Sequence, residues 1–365
     1  MRSASSLHSL GAFPQEDPQS GCRRLDLMRH ALIVSFRTGS CCGDDGRVQR
    51  DEHPDRVDIE SAAERVGLRV RRTPVVELEP EAFGVAGRVS LKLELLQHSG
   101  SFKPRGAFNS VLSAGVSGDG LLAASGGNHG LAVAYVARTL GVPAEVFVPA
   151  SASPVKINRL RSYGATVTVG GDFYADAYAA CQQRAAESRA LVVHAYDGFA
   201  TVAGQGTLAR ELDDQTSAID TVLVAVGGGG LMGGVASWYL GRARVVVVEP
   251  ARIPTFAAAL SAGGPVDVDV GGVAADSLGA RRIGRVGFAA AVAAGVKSVL
   301  VTEEAILTAR QVLWDELRVA AEAGGSTALA TLISGAYRPA ARERVAVIVC
   351  GGNTDPGDLN LIPEA

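Results

Sequence analysis

The stretch TVLVAVGGGGLMGGVASWYL, Thr221 to Leu240, joins a run of apolar, mostly β-branched residues to four consecutive glycines and a second apolar segment. This order predicts a buried strand, a tight turn and a helix. Glycines Gly227 to Gly230 allow backbone N–H groups to curl around a phosphate at the start of the helix. The stretch lacks the GK[ST] ending of a P-loop and does not follow the first strand, where a dinucleotide fingerprint lies. We therefore expect a phosphorylated cofactor other than a purine nucleotide.

The same alternation of apolar strands and Ala-rich segments extends from Val57 onward. Strands are predicted at 88–95, 120–125, 144–149, 165–170, 190–195, 220–226, 244–250 and 344–350. The helices predicted between them include 130–140, 153–164 and 175–188. Apolar strands separated by helices indicate an α/β protein, with parallel sheets covered by helices on both faces.

Composition restricts the class of protein. The chain has 365 residues, enough for two lobes, and its formal charge is −3. With no basic run that contains interleaved aromatics, a nucleic-acid partner is not expected. No apolar run approaches the roughly 20 residues that span a bilayer, so no membrane partner is expected. Five cysteines without a CxxC pair fit free thiols in the cytoplasm.

Two more glycine clusters follow predicted strands, where α/β proteins bind ligands. SGGNH, Ser125 to His129, precedes a helix whose first N–H groups could hold a carboxylate. Its alternative interpretation is a turn in which Asn128 caps the helix. CGGN, Cys350 to Asn353, ends the last strand. Cys350 is either a small core residue or a hydrogen-bond partner for a heterocycle.

One lysine lies in a distinctive setting, SGSFKPRGA, from Ser99 to Ala107. Pro104 is expected to hold Lys103 in an extended backbone, and Gly106 leaves room for close packing. A lysine that forms a Schiff base needs such a fixed and partly desolvated site. Most lysines are solvated, but three glycine clusters at strand ends favour a cofactor lysine here.

SGSFKPRGA, SGGNHG, GGGGLMGG and CGGN occur in this order. Together they resemble the pyridoxal-phosphate (PLP) enzymes of fold type II, in the serine/threonine dehydratase (ammonia-lyase) and serine racemase branch. The resemblance covers Val57 to the C-terminus and implies a two-lobed homodimer. Its large PLP-binding domain would comprise 56–119 and 198–362, and its small substrate-closing domain 120–197. Residues 1–55 lack an apolar period and are expected to be a poorly ordered extension.

The resemblance also implies a set of site residues. Lys103 would form the Schiff base with PLP, Phe102 would flank the ring and Asn128 would hydrogen-bond the ring hydroxyl. Gly227, Gly228, Gly229, Gly230 and Leu231 would hold the phosphate, and Cys350 would face the pyridine nitrogen. Ser125, Gly126 and His129 would line the substrate carboxylate site. Asp276, Ser277 and Glu322 are further candidates near the substrate and cofactor, although Glu322 could equally be a solvated charge.

A cation beside the PLP site is a further implication of the resemblance. Glu249, in the VEP stretch, matches the glutamate that holds the cation in relatives. Thr255 stands in place of a second acid, so a monovalent ion, a divalent ion and no ion all stay open. Glu249 could instead cap a neighbouring loop.

The implied reaction is β-elimination on L-threonine or L-serine, which gives 2-oxobutanoate or pyruvate plus ammonia. A thiol cannot keep the pyridine nitrogen protonated, which favours elimination over reactions that need a stronger electron sink. A racemase is the alternative, but racemases of this branch carry serine where this chain has Gly126. A protein that binds PLP or an amino acid without turnover is a third possibility. The choice between serine and threonine, near Tyr196 and Phe199, stays open.

Overall fold

The computed structural model describes residues 52–116 and 118–360, with Asn360 described by its backbone only. Residues 1–51 of the predicted extension therefore lie outside the described residues, as do Cys22, Cys41 and Cys42. The described residues belong to one compact unit. Among them, no helix is both long enough and apolar enough to cross a bilayer.

Helices and strands alternate along the described chain. The helices are α1 (Arg56–Val66), α2 (Lys103–Ala114), α3 (Asn128–Leu140), α4 (Pro154–Ser162), α5 (Tyr174–Ala186), α6 (Phe199–Gln215), α7 (Gly230–Tyr239), α8 (Thr255–Ala262), α9 (Ala275–Leu278), α10 (Arg285–Ala293), α11 (Glu303–Leu317) and α12 (Ala323–Ile333). The strands are β1 (Val75–Glu77), β2 (Arg88–Lys92), β3 (Leu121–Ala124), β4 (Ala144–Val148), β5 (Thr166–Val169), β6 (Leu191–Val192), β7 (Thr221–Ala225), β8 (Arg244–Pro250), β9 (Lys297–Val301) and β10 (Arg344–Ile348).

These strands form two sheets. The larger sheet has six strands in the order β1-β2-β10-β7-β8-β9, and the smaller has four in the order β5-β4-β3-β6. In the larger sheet β10 lies between its partners, with Val345 beside Val89 of β2 and Thr221 of β7. Every pairing is parallel except that of β1 with β2. The predicted α/β fold with parallel sheets is confirmed, and the antiparallel strand β1 and the parallel strand β9 are additions that the sequence analysis did not predict.

Helices cover both faces of the larger sheet. Along β7, Val222 and Val224 belong to a core that includes Val235 of α7. Leu223, between them, belongs to a second core that includes Leu329 of α12. Successive strand residues point to opposite faces, so a strand buried on both sides is apolar throughout. This explains why TVLVAV has no polar alternation.

The smaller sheet has cores of its own. Leu121 and Ala123 of β3 pack with Val133 of α3, whereas Leu122 packs with Cys181 of α5 on the other face. Each sheet therefore has buried cores of its own within one compact unit. The division into large and small domains, with boundaries at 119/120 and 197/198, remains a prediction.

Strands β2 and β6 stop well before their predicted ends, at 92 instead of 95 and at 192 instead of 195, and both ends serve the site. β6 stops at Val192, because the His194 ring nitrogen Nδ1 then accepts hydrogen bonds from the backbone N–H groups of Tyr196 and Asp197 and turns the chain. β2 stops at Lys92, because Leu93 leaves the extended conformation with ψ of 64°. The turn at Leu93 directs Glu94 toward Arg105 of α2.

Candidate active site

The position of Lys103 is fixed by the end of β10. Ser101 pairs with Gly351 in an isolated antiparallel bridge, and the Phe102 N–H donates to the Cys350 carbonyl at 3.1 Å. Lys103 is the first residue of α2, so the expected extended backbone is wrong. Proline is tolerated in the first helical turn, where a missing N–H costs no intrahelical bond, and Pro104 is the second residue of α2. The two glycine-containing motifs SGSFK and CGGN thus meet through their backbones.

The Lys103 side chain is partly buried in a mixed environment. Its Nζ donates to the Ala195 carbonyl at 2.9 Å and lies 5.0 Å from the centre of the Phe102 ring. Burial lowers the pKa of Lys103 to about 8, although the nearby Cys350 and Glu322 act in the opposite direction. A lysine with this pKa has an appreciable neutral fraction near neutral pH, which a nucleophilic amine requires.

The glycine loop between β7 and α7 forms a cradle that side chains would fill. A Cβ on Gly227 would lie 2.8 Å from the Leu278 carbonyl oxygen, and one on Gly228 would lie 2.3 Å from the Tyr196 ring. Gly229, at φ of 89°, adopts a backbone conformation that favours glycine. The N–H groups in the first turn of α7 have no intrahelical acceptor, so they can bind an anion.

A single cavity brings the predicted cofactor residues together. Its walls include Phe102, Lys103, Asn128, Gly227, Gly228, Gly229, Gly230, Leu231 and Cys350. Tyr196, Ser277, Leu278, Glu322 and Gly324 complete much of the remaining wall. Residues more than 200 positions apart in the chain therefore surround the Lys103 amine.

Cys350 contributes a neutral thiol to this cavity. The side chain is buried, and its Sγ donates a weak hydrogen bond to the Gly324 carbonyl at 3.5 Å. Burial raises the pKa of Cys350 to about 12, with Glu322 acting in the same direction. The thiol is therefore protonated at physiological pH and carries no negative charge.

Asn128 and Glu322 form a hydrogen-bonded pair on the cavity wall. Asn128 Nδ2 donates to Glu322 Oε1 at 2.6 Å. Burial raises the pKa of Glu322 to about 7, and the Asn128 hydrogen bond and the Arg159 charge partly oppose this rise. Glu322 is therefore a buried group that titrates near neutrality, which excludes the solvated-charge interpretation.

The SGGNH loop leads into α3 beside the cavity. Gly127, not Asn128, is the N-cap, so the interpretation of Asn128 as a helix cap is wrong. Ser125 Oγ accepts from the Gly127 N–H at 3.2 Å. Of the described residues, those that line the cavity do not include Ser125, Gly126 or His129. Their predicted role in carboxylate binding remains a prediction, for which the free N–H groups at the start of α3 are the available donors.

The His129 imidazole holds this loop against the end of the smaller sheet. Its Nε2 lies 2.7 Å from the Val193 carbonyl oxygen. Burial lowers the pKa of His129 to about 3, and the Lys103 charge adds to the effect. The ring is therefore neutral, with Nε2–H donating to Val193.

The Glu249 carboxylate is fully buried and lies at the start of α8. Its Oε1 accepts from the Phe256 N–H at 2.6 Å, and its Oε2 accepts from the Ala257 N–H at 3.0 Å and from Ser298 Oγ at 2.5 Å. Within 52–116 and 118–360, no group of three or more His, Cys, Asp or Glu side chains could hold a metal ion. The geometry matches the capping alternative, and the cation remains a prediction.

The residues around the cavity fit PLP. Lys103 supplies an amine for the aldehyde, and the glycine cradle of Gly227 to Gly230 leaves space that any Cβ would fill, with helix N–H groups for the phosphate. Cys350 supplies a neutral thiol, a group that can hydrogen-bond an unprotonated pyridine nitrogen.

Asn353 and Arg159 are linked to this set by hydrogen bonds that sequence reasoning missed. Asn353 Nδ2 donates to Asn128 Oδ1 at 2.5 Å, and Arg159 Nη2 donates to Asn353 Oδ1 at 2.5 Å. Asn353 was visible as the last letter of CGGN, a polar residue after two glycines at a strand end. Arg159 gave no sequence signal, because an arginine in the middle of a helix is usually solvated.

Comparisons with known proteins agree with this site. Residues 66–351 match the family model described as "Pyridoxal-phosphate dependent enzyme". Phenylserine dehydratase of Ralstonia pickettii is 36% identical over 83% of this chain and 94% of its own length. L-threonine ammonia-lyase of Geobacter sulfurreducens is 34% identical, over 84% and 77% respectively.

Solved structures show the same relationship. Maize serine racemase has a TM-score of 0.77 and 29% identity, with 84% of this chain and 95% of that chain covered. The threonine deaminase of T.th. has a TM-score of 0.77 and 32% identity, with 83% and 99% covered. The cavity around Lys103, the family match and these relatives agree, and the chain belongs to the pyridoxal-phosphate-dependent enzymes of fold type II, in the branch that contains the serine/threonine dehydratases and serine racemases.

Proposed function

We propose that this protein is a PLP-dependent dehydratase, or ammonia-lyase, of β-hydroxy-α-amino acids such as L-threonine and L-serine. Threonine would give 2-oxobutanoate and ammonia, and serine would give pyruvate and ammonia. The observation that carries the proposal is the pairing of Lys103 with a neutral Cys350 thiol in one cavity. The names of the relatives, two of which refer to threonine, support the same reaction class.

When bound, PLP supplies an electron sink that acidifies the α-hydrogen of an attached amino acid. The thiol of Cys350 leaves this sink weaker than a carboxylate partner would, because it does not hold a proton on the ring nitrogen. Loss of the β-hydroxyl group needs less charge storage than transamination does. Cys350 thus favours elimination.

Lys103 is the residue proposed to move the α-proton. Its pKa of about 8 lets the amine accept a proton and release it again near neutral pH. The Ala195 carbonyl, which accepts from Nζ at 2.9 Å, provides a resting position for the ammonium group. Lys103 would therefore serve both as the cofactor-binding amine and as the base.

The remaining residues bind and orient. The N–H groups of Gly227 to Gly230 and Leu231 would hold the phosphate, and Phe102 would flank the ring. Asn128 would donate a hydrogen bond to the ring hydroxyl. The start of α3, with Ser125, Gly126 and the loop that His129 anchors, would hold the substrate carboxylate. Closure of the small domain, 120–197, over the substrate would exclude water during elimination.

The proposal favours a dehydratase over a racemase. A racemase needs a second proton-transfer group on the opposite face of the substrate, and Gly126 offers no side chain there. The similarity to maize serine racemase keeps racemisation as the outcome to test against. A homodimer, a cytoplasmic location and the absence of a nucleic-acid partner remain predictions.

The test is 2-oxo acid and ammonia release by the PLP-loaded protein from L-threonine and L-serine, with Lys103→Ala as the control. Equal release of both products, lost in Lys103→Ala, is the expected result. D-amino acid formation without 2-oxo acid would establish the racemase instead. PLP binding without either product would contradict both and leave a binding protein.

A further inference from the structure

Four side chains form a continuous chain of hydrogen bonds from the protein surface to the cavity. Arg159 Nη2 donates to Asn353 Oδ1 at 2.5 Å, Asn353 Nδ2 donates to Asn128 Oδ1 at 2.5 Å, and Asn128 Nδ2 donates to Glu322 Oε1 at 2.6 Å. In each bond the donor lies on the Arg159 side and the acceptor lies on the Glu322 side. A role for this series of hydrogen bonds depends on what fixes that direction.

At the outer end of this series, the donor groups of Arg159 and the acceptor carbonyl of Ser99 fix the orientation of the Asn353 amide. A guanidinium group has donors only, so Asn353 must present its oxygen to Arg159. The Ser99 carbonyl has acceptors only, and it accepts from Asn353 Nδ2 at 2.8 Å. Two neighbours of opposite character therefore hold the Asn353 amide in one of its two orientations. The second N–H of Asn353 can then only donate to Asn128.

At the inner end of this series, Glu322 alone does not fix the orientation of the Asn128 amide. Glu322 has a pKa of about 7, because burial disfavours its charged form. A carboxylate accepts from Asn128, but a protonated carboxyl group can donate, and a flipped Asn128 amide would then suit it equally well. The groups that influence Glu322 are Asn128, Arg159, Asp276 and Lys103, and Cys350 lies close by. None of these except Asn128 hydrogen-bonds the carboxyl group among the described residues.

We propose that Asn353, held by Arg159 and Ser99, is a positioning residue that keeps the Asn128 amide directed with its N–H groups toward the cavity. Asn128 then offers a hydrogen-bond donor to an acceptor oxygen of the cofactor in either protonation state of Glu322. The inference rests on the proposed cofactor contact of Asn128. Asn353 itself does not line the cavity and acts through Asn128.

The chain also joins the two sheets. Arg159 lies on α4, between β4 and β5 of the smaller sheet, whereas Asn353 follows β10 of the larger one. One turn before Arg159, Lys156 forms an ion pair with Asp276 of α9 at 2.9 Å. Two cations of α4 thus contact segments that connect or follow strands of the larger sheet, and Arg159 is linked through Asn353 to Asn128 on the cavity wall.

The test uses the substrate-free protein, so turnover plays no part in it. Asn353→Asp keeps the size and can still accept from Arg159, but it has no N–H group for Ser99 or Asn128. We expect its dissociation constant for PLP to rise about tenfold, the effect of one well-placed hydrogen bond. We also expect the absorbance of bound PLP to depend on pH with a midpoint near the Glu322 pKa of about 7, a dependence much weaker in the wild type.

Arg159 provides a second test should Asn353→Asp fold poorly. Arg159→Met is expected to raise the dissociation constant about threefold, because the Ser99 carbonyl still orients Asn353. Arg159→Lys, another side chain with donors only, should restore most of the binding. Arg161→Met, at an exposed position on the same helix, is the control that should leave both readouts unchanged.

Wild-type PLP affinity and a wild-type absorbance profile in a folded Asn353→Asp variant would overturn the inference. Equal losses of PLP affinity in Arg159→Met and Arg159→Lys would also overturn it. The cause would then be the changed packing at position 159 and not the loss of a hydrogen-bond donor. Failure of the proposed function is separate, since it would appear as a wild-type protein that binds PLP and releases no 2-oxo acid.

Discussion

Arg105 and Glu94 form a buried ion pair only two residues beyond Lys103, with Arg105 Nε 2.5 Å from Glu94 Oε1. Arg105 Nη2 also lies 3.0 Å from Glu211 Oε2, and Glu211 in turn pairs with the buried Lys92 at 2.5 Å. Two cations and two carboxylates thus balance one another close to Lys103 along the chain. The network anchors the first turn of α2, and through it the backbone of Lys103.

Removal of one charge from this network should lower the free energy of unfolding. Glu94→Ala leaves Arg105 with Glu211 as its remaining carboxylate partner, and an undercompensated buried charge destabilises by roughly 3 kcal/mol. Urea unfolding monitored by far-UV circular dichroism measures the loss. The exposed Arg282–Asp267 pair provides the control, because Asp267→Ala should leave the unfolding midpoint unchanged. A Glu94→Ala midpoint equal to that of the wild type would contradict the anchoring role.

The Lys103 pKa predicts how PLP attachment depends on pH. Only the neutral amine attacks an aldehyde, so the attachment rate to apoprotein should rise with pH and level off above about pH 8. Stopped-flow absorbance measures this rate. Glu322→Gln removes a negative neighbour that favours the ammonium form, so it should move the midpoint to lower pH. A midpoint that moves upward would show that Glu322 does not act on Lys103 electrostatically.

Glu322 also predicts a pH-dependent stability. Its folded pKa of about 7 lies above the ordinary value of 4.5, so the folded state binds more protons between these values and loses stability as pH rises through them. The difference corresponds to roughly 3 kcal/mol. Glu322→Gln should therefore stabilise the apoprotein by up to about 3 kcal/mol above pH 7 and by little near pH 4.5.

Chemical unfolding of apoprotein at the two pH values distinguishes the outcomes. An equal gain at both would attribute the effect of Glu322→Gln to packing instead of proton binding.

An alanine substitution in the glycine loop, Gly227 to Gly230, tests whether this loop binds the phosphate of PLP. A Cβ on Gly228 would lie 2.3 Å from the Tyr196 ring, so Gly228→Ala must displace Tyr196. We expect PLP affinity to fall at least tenfold, because a shift in the loop misplaces the N–H donors of α7. Equilibrium titration of apoprotein with PLP measures the change. Gly170→Ala, where no atom lies within 4 Å of the added carbon, should bind PLP as the wild type does.

Individual residues show which parts of the candidate site could be predicted from the sequence. Gly227 to Gly230 were predicted as a phosphate site because they follow a predicted strand, and the carboxyl ends of parallel strands gather at one edge of a sheet. The cofactor roles of Lys103 and Cys350 were implied by the family resemblance of their motifs. The extended conformation of Lys103 was predicted wrongly, because proline disfavours helix for the preceding residue except where the helix begins.

The hydrogen-bonded chain from Arg159 to Glu322 could not be predicted in the same way. Its members come from α4, from the end of β10 and from the starts of α3 and α12, and nothing in their local sequence specifies one another. The pKa of Glu322 depends on burial by segments remote in the chain, and the same glutamate at a solvated helix end would be an ordinary acid.

The sequence by itself therefore determined the α/β class and the family and identified candidate PLP residues, because strand periodicity, glycine turns and a lysine between them are local and ordered along the chain. The tertiary structure alone decided the short strand β6, the antiparallel strand β1, the balanced charges close to Lys103 and the orientation of Asn128. These depend on distances between remote side chains and on exclusion of water, and packing sets both.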